Sequence, residues 1–155
     1  MTQTLTFRRF GQDHIDAVAG LSRAAGWPHR REDWALLASL SQGHVALHGD
    51  TVVATALATS LGDVAMANMI IVDATMRGRG LGRAVMERSL ALFAPHEWRL
   101  TATELGLPLY RKLGFEPFGT VHQHQAFGPA LIAPAGVRLA APADLPVILA
   151  MDRAA

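Results

Sequence analysis

The sequence predicts an α/β (α+β) fold: a mixed, mostly antiparallel central sheet with helices on both faces, in the order βααβββαβαβ. Three observations carry that reading. Residues 44–73 hold three strand-like runs separated by two turns built on Gly-Asp, the pattern of an antiparallel meander. Segments of helical periodicity stand before and after the meander, so the sheet has helices to cover both of its faces. A chain of 155 residues, 50% hydrophobic and 17% charged, also carries enough apolar material for one packed core and does not read as disordered.

The elements follow in order. "LTFRRF" alternates as a first strand. In "QDHIDAVAGLSRAAG", Ile15, Val18, Ala19 and Ser22 fall on one helical face, and Gly26 stops the helix. "RREDWALLASLSQG" predicts a second helix. Asp33 stands near its N-terminus, where the helix dipole favours a negative charge, and Gly43 is its expected stop. Trp34, at helical spacing from Leu37, reads as core; Trp27, beside Pro28, and His29 lie between the two helices. "HVALHGDTVVATALATSLGDVAMANMIIVD" supplies the three meander strands, turning at His48-Gly49-Asp50 and at Leu61-Gly62-Asp63. A third helix carries Leu81, Ala84, Val85 and Leu92 and ends before Pro95. "EWRLTAT" is a short strand, Leu105, Leu109 and Leu113 mark a helix ending at Gly114, and "FEPFGTVHQHQAF" closes with strand character.

Composition narrows the function. Fourteen Lys and Arg against thirteen Asp and Glu leave a net charge of +1, so no global basic field points to nucleic acid, and any anion site must be local. With no cysteine there is no disulfide framework, thiolate metal site or Cys nucleophile, and no metal is expected. The N-terminal "MTQTLTFRRF" has no basic leader followed by an apolar stretch, and no apolar run reaches membrane-spanning length. The expectation is a cytoplasmic protein that binds no membrane.

The most informative stretch is "MIIVDATMRGRGLGRAVMERSLALF", residues 69–93. Gly78, Gly80 and Gly82 are not a dinucleotide fingerprint, because the third glycine of G-x-G-x-x-G would have to be Arg83; nor a P-loop, because no Lys-Ser or Lys-Thr pair follows. What remains is a strand, loop and helix turn whose free backbone N–H groups, at the positive end of a helix dipole, can surround a phosphate. Gly80 and Gly82 would admit a close approach. A single glycine usually does no more than shape a turn; three alternating ones among Arg77, Arg79 and Arg83 argue for more.

On these residues the sequence resembles the GNAT superfamily of N-acetyltransferases. Arg77, Gly80 and Gly82 behind "IIVDATM" match that family's R/Q-x-x-G-x-G/A motif, and Leu109, Tyr110, Gly114 and Phe115 in "PLYRKLGFEP" match its downstream segment. The resemblance spans roughly residues 4 to 127 and implies a GNAT-like fold in which the fourth strand splays from the fifth. It implies acetyl-CoA as cosubstrate, its pantetheine arm paired with main-chain groups of the strand bearing Ile70, Ile71 and Val72. Its pyrophosphate would rest on the amides of Gly78, Arg79, Gly80, Leu81, Gly82 and Arg83, beside Arg77. The same resemblance makes Tyr110 the general acid and the Val72 N–H the oxyanion donor. Many members have Asn where this chain has Thr103, which can still cap the helix carrying Tyr110. No motif identifies the base: Glu104, His122, His124 and Asp63 are candidates. The implied activity is transfer of an acetyl group to a primary amine of a small molecule or peptide, by direct attack in a ternary complex. The alternatives are a non-catalytic acyl-CoA-binding or sensor module, or a protein that binds nucleotide phosphates.

The tail "GVRLAAPADLPVILAMDRAA" repeats the opening of the chain. A shift of 130 maps Ile15, Val18 and Ala19 onto Leu145, Ile148 and Leu149, and Arg8 and Arg23 onto Arg138 and Arg153. The expected division is an acetyltransferase-like domain over residues 1–130, then a linker with a strand and helix over 131–155. That tail reads either as the truncated start of a second, related domain or as a helix packing on the first. In the first case its apolar face would promote a homodimer.

Overall fold

A computed structural model describes residues 4–124, 126–128, 132 and 134–154. The chain divides into two units, residues 1–120 and 121–155. In the first, β1 (Leu5–Arg9), β2 (Gln42–His48), β3 (Thr51–Leu61), β4 (Val64–Val72) and β5 (Glu97–Arg99) form one sheet in the order β1-β2-β3-β4-β5. The first four strands are antiparallel, and β5 joins β4 in parallel. The meander turns where the sequence predicts, with Gly49 at φ 62° and Gly62 at φ 85° supplying the left-handed backbone of tight hairpins.

Helices α1 (Ile15–Ala24) and α2 (Arg31–Leu40) cover one face. Ile15, Val18 and Ala19 of α1, with Trp34 of α2, pack there on Val45, Leu47, Leu57 and Ile71. Helices α3 (Leu81–Leu90) and α4 (Leu107–Lys112) cover the other, where Leu81, Val85, Met86 and Tyr110 pack on Ala46, Ala54, Ala56 and Ala67. Alanines on that side of the sheet let α3 approach closely. Ser89 of α3 reaches the backbone, donating to the Ala56 carbonyl at 2.9 Å.

Two expectations are corrected. Gly43 does not stop α2; it lies inside β2. The helix ends at Leu40 because Ser41 is extended (φ −122°, ψ 161°) and its hydroxyl pairs with that of Thr59 at 2.7 Å, which draws the chain into the sheet. Gly43 is then needed by its neighbour strand: a Cβ there would stand 2.9 Å from the Leu57 Cα and closer still to the Ala56 carbonyl oxygen. The closing strand expected from residue 115 is absent among the described residues, since 115–124 have no regular structure and Gln125 lies outside the description. Phe118 and Val121 are exposed, so alternation there gains no burial, and a strand without a partner is not stable.

One irregularity shapes everything downstream. Thr55 pairs with Ile71 and Leu57 with Asn68, two steps on β3 against three on β4. The extra residue is a β-bulge, with Met69 at φ 50°. A one-residue insertion exchanges the faces of all side chains beyond it. Accordingly Ala67 belongs to the core under α3, whereas Met69 and Ile71 belong to the core under α1.

The second unit holds a short 3-10 turn, Pro142–Asp144, and helix α5 (Leu145–Ala154). Among the described residues no helix is long and apolar enough to cross a membrane.

Candidate active site

β4 and β5 pair only over Val64–Met66 and Glu97–Arg99. Beyond Arg99 the chain leaves the sheet, so the second half of β4 keeps one edge open. Alternation identifies which groups face that edge. Asp73 N–H donates to the Val53 carbonyl at 2.8 Å, and Ile71 pairs with Thr55 on the same side; the main-chain groups of Ile70 and Val72 therefore face away from β3. The Val72 carbonyl accepts from Arg77 Nε at 3.3 Å.

Alongside this edge lies a cavity of about 620 Å³ walled by the end of β4, the start of α3, the segment from Thr103 into α4, and Ala25 with Trp27. It contains most of the residues that the sequence singles out: Ile70, Ile71, Val72, Arg77, Gly78, Gly80, Leu81, Gly82, Arg83, Thr103 and Tyr110 all line it. Arg79 is exposed on the same loop but not in the wall.

The loop into α3 is built from its capping groups. Asp73 accepts from the Thr75 N–H at 2.8 Å and the Thr75 hydroxyl at 2.6 Å. These bonds, the hydroxyl first, hold its carboxyl below the usual range. Met76 is buried and anchors the turn. Gly78 (φ 75°) and Gly80 (φ 76°) then take left-handed conformations, and nothing stands within 4 Å of where a Cβ would lie on either. Their need for glycine is conformational, with open space above. Gly82 differs: a Cβ there would meet Leu109 Cδ2 at 3.2 Å and Val72 Cγ2 at 3.4 Å, so its bare Cα lets α3 pack against β4 and α4. The N–H of Ala84 makes the first turn's bond, to the Gly80 carbonyl at 3.0 Å. The N–H groups of Leu81, Gly82 and Arg83 therefore have no acceptor within the helix. Those donors, the dipole and the guanidinium groups of Arg77 and Arg83 make this end of the cavity suited to a phosphate-bearing ligand.

Tyr110 is 6% exposed, and its ring meets that of Phe115 edge-on with centroids 6.3 Å apart. Its hydroxyl makes no hydrogen bond to the described residues. Burial pushes its pKa above the usual tyrosine value, so it stands as a protonated phenol across the neutral range. Thr103 leads the turn before α4: its hydroxyl accepts from Gly106 N–H at 3.2 Å, and its carbonyl accepts from Leu107 N–H at 3.0 Å.

The candidate bases are scattered. Glu104 is exposed in the turn after Thr103 and does not line the cavity. Asp63 sits in the β3–β4 turn, at the opposite end of β4 from Val72. His122 and His124 are exposed residues of the second unit. Trp34 is fully buried core, as the sequence predicts, and Trp27 lines the cavity; the Trp27 and His29 rings are 5.5 Å apart. Sequence reasoning missed Gly106, Pro108 and Lys112 as wall residues. The Gly-Leu-Pro run before Leu109 signals a tight helix start, yet nothing in it shows that Tyr110 folds back onto Gly106.

Comparison with known proteins gives a consistent result. A family profile described as an acetyltransferase (GNAT) domain matches residues 39–117. An uncharacterized N-acetyltransferase, YitH, from Bacillus subtilis is 29% identical over 117 residues, which cover 73% of this chain and 41% of that protein; the chain thus spans about two fifths of its relative's length. Among solved structures, a GNAT-family acetyltransferase from Streptococcus pneumoniae superposes with TM-score 0.66 at 23% identity, covering 79% of this chain and 100% of that one. A predicted acetyltransferase from Clostridium acetobutylicum, solved with acetyl-CoA, superposes with TM-score 0.67 at 16% identity over 79% of this chain and 96% of the other. At these identities the two structures share the fold.

Proposed function

Given that the chain belongs to the GNAT family of acetyltransferases, we propose that it transfers an acetyl group from acetyl-CoA to a primary amine of a small molecule or peptide, by direct attack within a ternary complex. One observation carries the reading: a buried, protonated tyrosine and an open strand edge share one cavity with a helix N-terminus bearing unpaired N–H groups.

The residues fit acetyl-CoA. The free edge of β4 accepts an extended arm as an added strand, bonded by Ile70 and Val72. Gly78 to Arg83, with Arg77, hold the pyrophosphate, and the open space above Gly78 and Gly80 admits it. Arg79 reaches it from the rim. Bound acetyl-CoA supplies an activated acetyl thioester and a thiol leaving group. The Val72 N–H donates to the oxygen that gains charge as the amine adds. Tyr110 gives its proton to the departing sulfur, which requires a phenol still protonated at neutral pH. Thr103 fixes the turn into α4 and so the position of Tyr110. The amine's proton leaves through water, with exposed Glu104 as the carboxylate next to that turn.

The test is a panel of polyamines, amino acids, aminoglycosides and peptide N-termini with acetyl-CoA, following free thiol. Amine-dependent thiol release and an acetylated amine support the reading. CoA binding with no turnover on any amine would make the protein a binding module instead.

A further inference from the structure

The second unit repeats the first unit's opening in three dimensions. The 3-10 turns Gln12–His14 and Pro142–Asp144, and helices α1 and α5, stand 130 residues apart and have the same lengths. Their backbones agree. The residue before each turn is extended, Gly11 at φ −148°, ψ 175° and Ala141 at φ −104°, ψ 162°; the residue after is helical, Ile15 at φ −55°, ψ −46° and Leu145 at φ −54°, ψ −43°. Their capping agrees as well. His14 N–H donates to the Gly11 carbonyl at 3.0 Å, and Asp144 N–H to that of Ala141 at 2.9 Å. In return the third residue's side chain accepts from the cap: His14 Nδ1 from Gly11 N–H at 3.1 Å, Asp144 from Ala141 N–H at 2.7 Å.

The same shift carries the packing code. α1 buries Ile15, Val18, Ala19 and Leu21 at 0–7% exposure, and the matching positions of α5 are Leu145, Ile148, Leu149 and Met151, all apolar and 43–68% exposed. α1 is covered because a sheet lies beneath it. The equivalent place on this chain's own sheet is already filled by α1. Residues 135–139, which match the strand β1, form a turn at 135–136 and no strand; β1 is a strand because β2 pairs with it.

We propose that residues 137–154 are the opening unit of a second fold of the same kind, and that the face formed by Leu145, Ile148, Leu149 and Met151 docks on a β-sheet carried by the same polypeptide. The length of the B. subtilis relative leaves room for it, since this chain matches only 41% of that protein.

The natural protein, purified from its source, tests this in three ways. Its intact mass should be well above the 16.6 kDa of this chain; a mass of 16.6 kDa overturns the proposal. Hydrogen exchange of α5 amides should be slower by at least ~100-fold in the natural protein than in the 155-residue chain, because amides of covered helices exchange through larger openings. Equal rates overturn it, and so does protection of α5 in the 155-residue chain that grows with concentration, which would mean that a second copy covers the face. Ile148→Asp in the natural protein should abolish one melting transition and leave that of the first unit within about a degree. A lowered first-unit transition instead would place the α5 face on the first unit and overturn the assignment.

Discussion

The ring of Tyr110 lies against the bare Cα of Gly106: a Cβ added there would stand 2.8 Å from Tyr110 Cε2 and 3.0 Å from its hydroxyl oxygen. Gly106 is not in a left-handed conformation (φ −82°), so the backbone tolerates any residue. The constraint is the aromatic ring alone.

Gly106→Ala should therefore fold and yet move the phenol. The expected result is a melting temperature near wild type with kcat lowered ~10-fold or more, since small displacements of a proton donor are costly. Wild-type kcat in the alanine variant would show that Tyr110 needs no such seat.

Tyr110→Phe keeps the ring and removes the proton. Turnover should fall ~10²–10⁴-fold, the usual range for general acid–base catalysis, with acetyl-CoA affinity little changed. The raised folded-state pKa puts the alkaline limb of kcat above about pH 10, the unperturbed tyrosine value. It also means that Tyr110 contributes stability below that value which is lost as pH rises through the folded pKa. Steady-state kinetics from pH 7 to 11 on both proteins checks the rate and its alkaline limb, and thermal melts over the same range check the stability.

Gly80→Val places a β-branched residue at φ 76°, a conformation that costs such a residue on the order of 1–3 kcal/mol. The loop should rearrange and CoA affinity fall at least ~100-fold in a protein whose circular dichroism is unchanged. Calorimetry on the folded variant decides it, and an unchanged Kd removes the loop from the pyrophosphate site.

Gly43→Ala has no room. Its Cβ would press on the main chain of Ala56 and Leu57, in the middle of the sheet, where overpacking costs ~1–3 kcal/mol. A melting temperature lowered by several degrees is expected; an unshifted melt would mean that β2 and β3 can part without penalty.

Asp33 closes the first turn of α2, accepting from Arg30 N–H at 2.8 Å and from Arg30 Nη2 at 2.8 Å. The Arg30 side-chain bonds, then its backbone bond, lower its pKa from 3.8 to about 2. A depressed carboxylate stabilises the fold above its unfolded value and loses that effect as pH falls through the folded one. The Asp33→Asn variant should melt below wild type at pH 7, with the gap closing between pH 4 and pH 2. A gap that does not change with pH would assign the effect to something other than the charge.

Much of this was readable in the sequence because it is local. Ile15, Val18, Ala19 and Ser22 mark a buried face by spacing alone, and Gly49 and Gly62 mark turns by their chemistry. The glycine loop before α3 was legible for the same reason: Arg77 to Gly82 is one short segment. What was not legible depends on residues far apart. Gly43 looks like a helix stop until β3 is placed beside it. Phe118 and Val121 alternate like a strand, but no neighbour pairs with them. The seat that Gly106 gives Tyr110 exists only once α4 has folded, and Met69 carries no local signal of a bulge. Of the candidate bases, Glu104 has the right chemistry for proton transfer but not a place in the cavity wall, because charge in a sequence says nothing about orientation.

The bulge at Met69 has a consequence for how this strand can change. Along β4 the rule that assigns a residue to one core or the other is a parity rule, odd against even, and Met69 is where the parity reverses. Substitutions leave parity intact, so each affects one position. Flattening the bulge with no residue removed would instead run an unbroken alternation on from Ala67 and send Ile71 toward α3 and Val72 toward α1, exchanging both faces at once. The cleft edge would turn with them, since the groups now facing away from β3 would pair with it. The open edge and the double-sided core thus hang on one extra residue.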